Sequence, residues 1–286
     1  MNIIRKGQLN TCTIREKVIS DTSVTYITFD NLEQTGIIRQ GFSTRLGGVS
    51  EGEFASMNLS FSRNDDPQAV MENYRRFAAI MDCTPDDVVA SHQTHTTNVR
   101  RVSSADKGKG VTRKKDYSDI DGLITDESGV LLACFFADCV PLYFVDPVKK
   151  VIGLSHSGWR GTVGKIGKVT VEKMEEEFGC DPADILGAVG PSICQDCYEV
   201  SEDVIKKFRE NYDENLWPEI FYQKENGKYQ LNLWKANESV FLESGILPEH
   251  IAVTNVCTHC NPDILFSHRT TGNERGTLSA FLALKK

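Results

Sequence analysis

The sequence predicts a mixed α/β fold, with residues 1–286 in one compact domain, and three observations predict it. Four short apolar segments crowd the middle of the chain, at 121–125, 130–136, 141–145 and 151–155. Several lack polar alternation, as strands buried on both faces do. Stretches with apolar residues three and four apart flank them, and no Pro-, Gly- or Ser-rich linker divides the chain.

Taken in order, residues 24–29 (VTYITF) are β-branched or aromatic at every position and read as a strand. A Gly-rich turn follows, FSTRLGGVSEGEF, from Phe42 to Phe54. Asp66 and Pro67 supply a cap and a first-turn proline. Val70, Tyr74, Phe77 and Met81 then recur at helical spacing, which predicts a helix to about Met81. Val88–Ala90 starts another strand, and the four central segments form the core sheet. From Thr162, the residues Val163, Ile166, Val169, Met174 and Phe178 mark one amphipathic helix ending near Gly179. Helices begin near Ser201 and Asn232, and strands at 251–256 and Leu278–Leu284 close the chain.

Charge and thiols exclude several functions. Thirty-two basic against forty acidic residues leave a net charge of −8, the wrong sign for a protein that grips phosphate backbones, so no nucleic-acid partner is expected. Lys107, Lys109, Arg113, Lys114 and Lys115 form a local basic stretch whose interleaved glycines predict a mobile, solvated loop. The longest unbroken apolar run, 130–137, falls far short of the ~18 residues of a membrane span. Residues 1–10 carry Arg5 and Lys6 but no apolar signal core. A cytoplasmic location is therefore expected, with the nine cysteines serving as reduced thiols, metal ligands or a nucleophile rather than a disulfide framework.

Metal-ligand chemistry is the strongest local signal. Of six histidines, His92 and His95 fall in SHQTHTTNV and His156 in SHSGWRG, both read as strand edges or tight turns. Cys139 follows the most buried apolar run, in FFADCVPLYF, just ahead of Pro141, where a sheet ends and presents side chains to a crevice. Two imidazoles and a thiolate make a three-ligand zinc set with a fourth position left for water or substrate. Each residue also has an ordinary reading, the cysteine as a small core residue and the histidines as hydrogen-bonded surface groups. Spacing alone does not bring them together.

FSTRLGGVSEGEFASMNLS, SHQTHTTNV, FFADCVPLYFVDP, GLSHSGWRGTVGKI, GPSICQDCYEV and CTHCNPDILFSHR together resemble the YfiH-like multicopper polyphenol oxidase, or laccase-domain, family, from about residue 39 to 284. The resemblance implies a layered α/β/β/α arrangement of mixed sheets. It also implies metal binding by His95, Cys139 and His156, with His92 as a neighbour. A true laccase needs roughly ten imidazoles, and six histidines do not fill that requirement. The family's other activity is phosphorolysis of adenosine, inosine and methylthioadenosine to base and ribose 1-phosphate, with adenosine deamination beside it. The resemblance thus implies Zn2+ (or Cu2+) as cofactor and purine nucleosides and phosphate as partners. A His/Cys zinc centre suits deamination, because it lowers the pKa of bound water toward ~7.

Phosphorolysis also needs an anion site. Arg160, in the GWRG turn ahead of a helix, and Arg45, beside Gly47 and Gly48 in STRLGG, are the expected phosphate ligands. Either also reads as a cap on turn carbonyls. Asp138, Asn58 and His268 stand in matched motifs, where they would orient ribose or the metal ligands; Asp138, Cys139, His156 and Arg160 form the expected catalytic set. Cys194-x-x-Cys197 and Cys257-x-x-Cys260, with His259 inside the second pair, offer a second metal or redox site. Trp217, Tyr222, Tyr229 and Trp234 read as packing aromatics. Two other enzymes stay open: a cysteine hydrolase or amidase on cell-wall precursors using Cys139 and His156, and a copper-dependent phenol oxidase. A non-catalytic metal-dependent binding protein is a third possibility.

Overall fold

The computed structural model describes residues 3–7 and 11–286. Of the stretch read for a signal, Met1, Asn2, Gln8, Leu9 and Asn10 lie outside the described residues. Two six-stranded sheets form the frame. The first runs β1 (Cys12–Ile19), β2 (Thr22–Phe29), β3 (Ile38–Ser43), β15 (Leu278–Leu284), β7 (Leu131–Phe136), β4 (Val88–Ala90), and only the β4–β7 pair is parallel. The second runs β14 (Ile251–Val253), β10 (Leu186–Val189), β8 (Val140–Asp146), β9 (Val151–Ser157), β6 (Gly122–Thr125), β5 (Val99–Arg101), and is parallel at its two outer pairs. A small third sheet joins β11 (Glu199–Val200), β13 (Tyr229–Leu231) and β12 (Phe221–Gln223).

The period of two along each strand builds the layers. Leu278, Ala280 and Leu282 pack with Phe42, Phe136, Tyr143, Ile152 and Leu154 between the two large sheets. Phe281 and Ala283 point the other way, onto Tyr74 and Phe77 of helix α2 (Pro67–Ile80). On the far side of the second sheet, Val140, Leu142 and Phe144 pack against α4 (Ile166–Phe178), α5 (Glu202–Asn211) and α7 (Leu233–Glu243). The result is the expected α/β/β/α sandwich. Helices α1 (Asp30–Glu33) and α6 (Trp217–Ile220) are single turns.

Local signals were realised where side-chain chemistry dictates them. Asp66 accepts from the Gln68 N–H at 2.9 Å, Pro67 opens α2, and Met81 directly follows its last residue. Two expectations need correction. The single helix predicted from Thr162 is two, α3 (Trp159–Val163) and α4, separated by Gly164 and by Lys165 with φ 55°. The chain closes on the 96–97 loop there: a Cβ on Gly164 would lie 2.6 Å from Thr97 Cγ2. The basic stretch is solvated only at Arg113 and Lys114; its other cations are packed. Lys109 is 8% exposed and bridges Asp106 and Asp116 at 2.8 Å each, and Lys115 donates to the Ser91 carbonyl at 2.7 Å.

Candidate metal centre and its cleft

Ile152, Leu154 and His156 share the inter-sheet face of β9, so His156 reaches the rim of that layer, its ring 5.5 Å from that of Phe136. Cys139 lies in the tight turn between β7 and β8, directly after Asp138, whose φ of +88° turns the chain sharply. His95, in the loop after β4, also has a left-handed backbone, φ +67°, a conformation costly for a residue with a side chain and concentrated at functional sites. The three ligand atoms lie within 4.8 Å of one another. His95 Nε2 is 4.0 Å from Cys139 Sγ, and the two imidazole rings stand nearly perpendicular with centroids 4.9 Å apart. His156 is buried, Cys139 half-buried and His95 exposed, so the site opens on the His95 side. Gly158 makes the convergence possible, since a Cβ there would sit 2.8 Å from the His95 ring and 3.1 Å from Cys139 Sγ.

Asp121 organises this centre. Sequence reading saw it only as the start of a strand. It is fully buried, and its Oδ1 accepts from the His95 backbone N–H at 3.1 Å and from His156 Nδ1 at 2.8 Å. Its Oδ2 accepts from the Thr94 and Thr96 N–H groups at 3.1 and 2.9 Å and from Thr96 Oγ1 at 2.9 Å. One carboxylate thereby fixes both histidines and turns His156 Nε2 toward Cys139, the side on which a carboxylate–histidine–metal relay would hold its cation. Burial opposes its charge, but His156 and the loop N–H groups outweigh burial and hold its pKa down to about 2. Burial also disfavours imidazolium at His156; the Cys139 thiolate and Asp121 reverse this and raise its pKa to about 9. For Cys139, burial favours the thiol, while the charge of His156 and hydrogen bonds from His156 and His95 win and lower the pKa to about 6. The set is prepared to present a thiolate to a cation.

The centre lies in a cleft of about 750 Å³. Arg63, Lys115 and Arg275 line it, and among the described residues lining it there is no carboxylate, in a protein of net charge −8. Arg275 is 8% exposed, spends one N–H on the Gly276 carbonyl, and has no protein partner for Nε. Burial and then the neighbouring charge of Arg63 lower its pKa to about 10. Ser60, Ser62 and Thr277 stand on the same wall, and Arg63 Nε reaches Thr277 Oγ1 at 3.4 Å. Phe61, 39% exposed, stacks on Tyr74 with centroids 5.6 Å apart and planes 5° from parallel, giving the cleft an aromatic face.

The other expected site residues are placed as follows. His268, at the start of helix α8 (His268–Thr271), lines the cleft and bonds the Gly272 carbonyl through Nδ1. His92 also lines it, outside the ligand set. Asp138 accepts from Thr258 Oγ1 and the Arg269 N–H, both at 2.6 Å, and so holds the turn that presents Cys139. Arg45 is not brought to the cleft: its guanidinium donates to the Ala55 and Pro262 carbonyls at 2.8 Å and stacks over Phe266. The glycines beside it serve their own loop, since a Cβ on Gly48 would lie 2.0 Å from the Ser56 carbonyl oxygen. Arg160 is exposed, lies over the Trp159 ring at 4.3 Å, and does not line the cleft. Asn58 is wholly buried and spends its amide on Ser60, Asp65 and Thr277, shaping the loop that carries Ser60 to Arg63. Sequence reading missed Arg63 and Arg275, which have no motif signal beyond their charge.

Among the described residues, the groups able to hold a metal are this triad and the four cysteines of the two C-x-x-C pairs. Neither supplies the imidazoles of a trinuclear copper cluster. No helix among the described residues is long and apolar enough to cross a membrane.

Comparison with known proteins adds the lineage. The chain is 36% identical over 251 residues, 86% of its length and 88% of the relative's, to "Purine nucleoside phosphorylase YlmD" of Bacillus subtilis (strain 168). It is 33% identical over 261 residues, 90% of its length and 96% of the relative's, to "Purine nucleoside phosphorylase" of Bacteroides thetaiotaomicron. Among solved structures, it resembles YlmD from Geobacillus stearothermophilus with a TM-score of 0.85 and 32% identity over 100% of both chains. It also resembles Bacillus licheniformis YfiH, with a TM-score of 0.86 and 34% identity over 91% of this chain and 96% of that one. The family model described as "Multi-copper polyphenol oxidoreductase laccase" matches residues 39–285; with the triad, the sandwich and these relatives in agreement, the chain belongs to that family.

Proposed function

We propose that this protein is a zinc-dependent purine nucleoside phosphorylase, acting on adenosine, inosine and methylthioadenosine, with adenosine deamination as a side activity. The observation that carries the reading is a single cleft holding both a His95–Cys139–His156 ligand set and the Arg63–Arg275 pair, with no carboxylate among the described residues that line it. The relatives' name points to the same chemistry.

Two imidazoles and one thiolate with an open side suit a catalytic zinc; when bound, zinc would supply Lewis acidity and an activated water, the chemistry deamination needs. The chain's own residues provide the rest. Arg63 and Arg275, with Ser60, Ser62, Thr277 and His268 around them, hold the phosphate dianion. Its oxygen forms the bond to the ribose C1′ as the glycosidic bond breaks and the electron pair leaves with the purine. Phe61, backed by Tyr74, offers the base a stacking face. Asp121 keeps His95 and His156 oriented, and Asp138 fixes the turn of Cys139. Arg45 and Asn58 support loops around the site, Arg160 lies over Trp159, and none of the three lines the cleft.

A second reading has one observation behind it: Asp121, His156 and Cys139 follow one another as the orienting acid, base and nucleophile of a cysteine hydrolase do. His95 has no role in such a triad but completes a metal set, which favours the first reading. The test is chromatographic product analysis of metal-assayed protein given adenosine or inosine, with and without phosphate, beside a His95→Ala control. Phosphate-dependent release of base and ribose 1-phosphate, lost in the control, is the expected result. Adenosine turning into inosine without base release would leave only the deaminase. No turnover in zinc-loaded protein would overturn the nucleoside reading, and a metal-free enzyme blocked by alkylation would support the hydrolase.

A further inference from the structure

The two C-x-x-C pairs are 60 residues apart in sequence, between Cys197 and Cys257, yet the fold joins them. Cys194 and Cys197 lie in the loop after β10, and Cys257 and Cys260 in the loop after β14, its parallel neighbour. A bridge between Ser192 and Cys257 carries the pairing past the strand ends, with the Thr258 N–H on the Ser192 carbonyl at 3.1 Å. All four sulfurs fall within 4.8 Å of one another, Cys197 and Cys260 at 3.5 Å. Four sulfurs at a zinc-thiolate distance of ~2.3 Å stand about 3.8 Å apart at tetrahedral edges, so the cluster already has nearly the required size. All four cysteines are free.

The surroundings suit a bound cation rather than a thiol core. The Cys194 backbone N–H donates to Cys257 Sγ at 3.3 Å, and the Cys260 N–H also bonds that sulfur; such donors stabilise a metal thiolate. Lys6 lies close enough for its charge to act on Cys194 and Cys260, and its Nζ pairs with Asp196 at 3.0 Å. Cys194 and Cys257 are buried against Ile193, with Tyr198 and Trp234 packed beside them. His259 turns its Nδ1 to Thr270 Oγ1 at 2.9 Å and is outside the sulfur set.

We propose that Cys194, Cys197, Cys257 and Cys260 bind a structural zinc ion, separate from the His95–Cys139–His156 centre. All-thiolate donors select zinc over hard cations, and four protein ligands leave no position for substrate, the mark of a structural site. Its work is to clamp the loop that presents Cys139. The Ile193 N–H, next to Cys194, donates to the Asp138 carbonyl at 3.0 Å, and Thr258, inside the second pair, donates its hydroxyl to Asp138 Oδ1 at 2.6 Å. Both knuckles thus grip Asp138, which carries the strained φ of +88° immediately before Cys139.

The test counts metal and does not depend on the nucleoside reading. Full-length protein purified with a reductant and reconstituted with zinc is expected to hold two equivalents per chain, and His95→Ala one. The retained equivalent, exchanged for cobalt in His95→Ala, should give the strong thiolate charge-transfer absorption of a tetrahedral tetrathiolate. Adding Cys197→Ser and Cys260→Ser to His95→Ala should abolish both the metal and the band. The cobalt spectrum leaves all four knuckle cysteines intact, so it decides the matter even where the serine variants do not fold. Folded His95→Ala with four titratable knuckle thiols and no bound zinc or tetrathiolate band would overturn the proposal, as would two disulfides in reductant-purified protein.

Discussion

Replacing Asp121 with Asn is the sharpest perturbation of the metal centre, because it preserves shape and removes charge. The carboxylate accepts five hydrogen bonds, two on Oδ1 and three on Oδ2. With the amide oxygen kept toward His95 and His156, the new NH2 faces the Thr94 and Thr96 N–H donors, leaving two backbone donors without an acceptor. Each such loss costs about 1–3 kcal/mol, and the sum agrees with the ~3–5 kcal/mol for breaking a buried charged pair. For a chain of this length that lowers Tm by roughly 5–8 °C, measured in chelator so that metal does not contribute. Zinc affinity, measured by competition with a chromophoric chelator well below Tm, should fall ~10- to 100-fold, as for other residues that orient metal-bound histidines. Asp121→Asn with an unshifted Tm and wild-type zinc affinity would refute the role assigned to Asp121.

Arg275→Met should raise the phosphate KM roughly ten- to a hundredfold, the loss of one charge-assisted contact of about 1.5–3 kcal/mol. Arg45→Met should leave that KM within about threefold and instead cost ~1–2 kcal/mol of stability by freeing the Ala55 and Pro262 carbonyls; steady-state kinetics beside denaturant melts separate the two. At Asp106, burial raises the pKa, but Lys109 and the Ser103 N–H outweigh it and depress the value below the ordinary 3.8. Its stabilisation is therefore complete above that value and lost as pH falls below it. Asp106→Asn should be less stable than wild type by about 1–3 kcal/mol at neutral pH, the difference shrinking in acid melts as pH falls below 3.8 and through the depressed native value; a gap independent of pH would contradict the assignment. Phe281→Ala should remove a fully buried ring stacked 4.7 Å from Phe77, costing ~3–5 kcal/mol in denaturant unfolding with no change in zinc affinity.

Much of this protein was legible in its residues. The Asp66–Pro67 start of α2, the buried runs that became β7, β8 and β9, and the Leu278–Leu284 strand follow from local rules: a cap, a fixed proline φ, and apolar side chains that leave water together. The candidate ligands His95, Cys139 and His156 were singled out by the motifs that carry the family resemblance, since their spacing along the chain does not by itself bring them together. Strands such as β1, whose exposed Arg15 and Glu16 dilute any apolar signal, and β10, only four residues long, were not readable.

What the sequence by itself determined is the chemistry available: two imidazoles, a thiolate, four further cysteines in two pairs, and cations among an acidic majority. Only the tertiary structure decided how that chemistry is used. Arg45 stands in a conspicuous motif, yet the carbonyls of Ala55 and Pro262 claim it, whereas Arg63 and Arg275, 212 residues apart, meet in the cleft. Asp121 looked like a strand residue until the fold set it beneath both histidines. Motif position reports a residue's neighbours along the chain, but hydrogen bonding and electrostatics act through space, and which groups share a space is fixed by how β-sheets pair and pack.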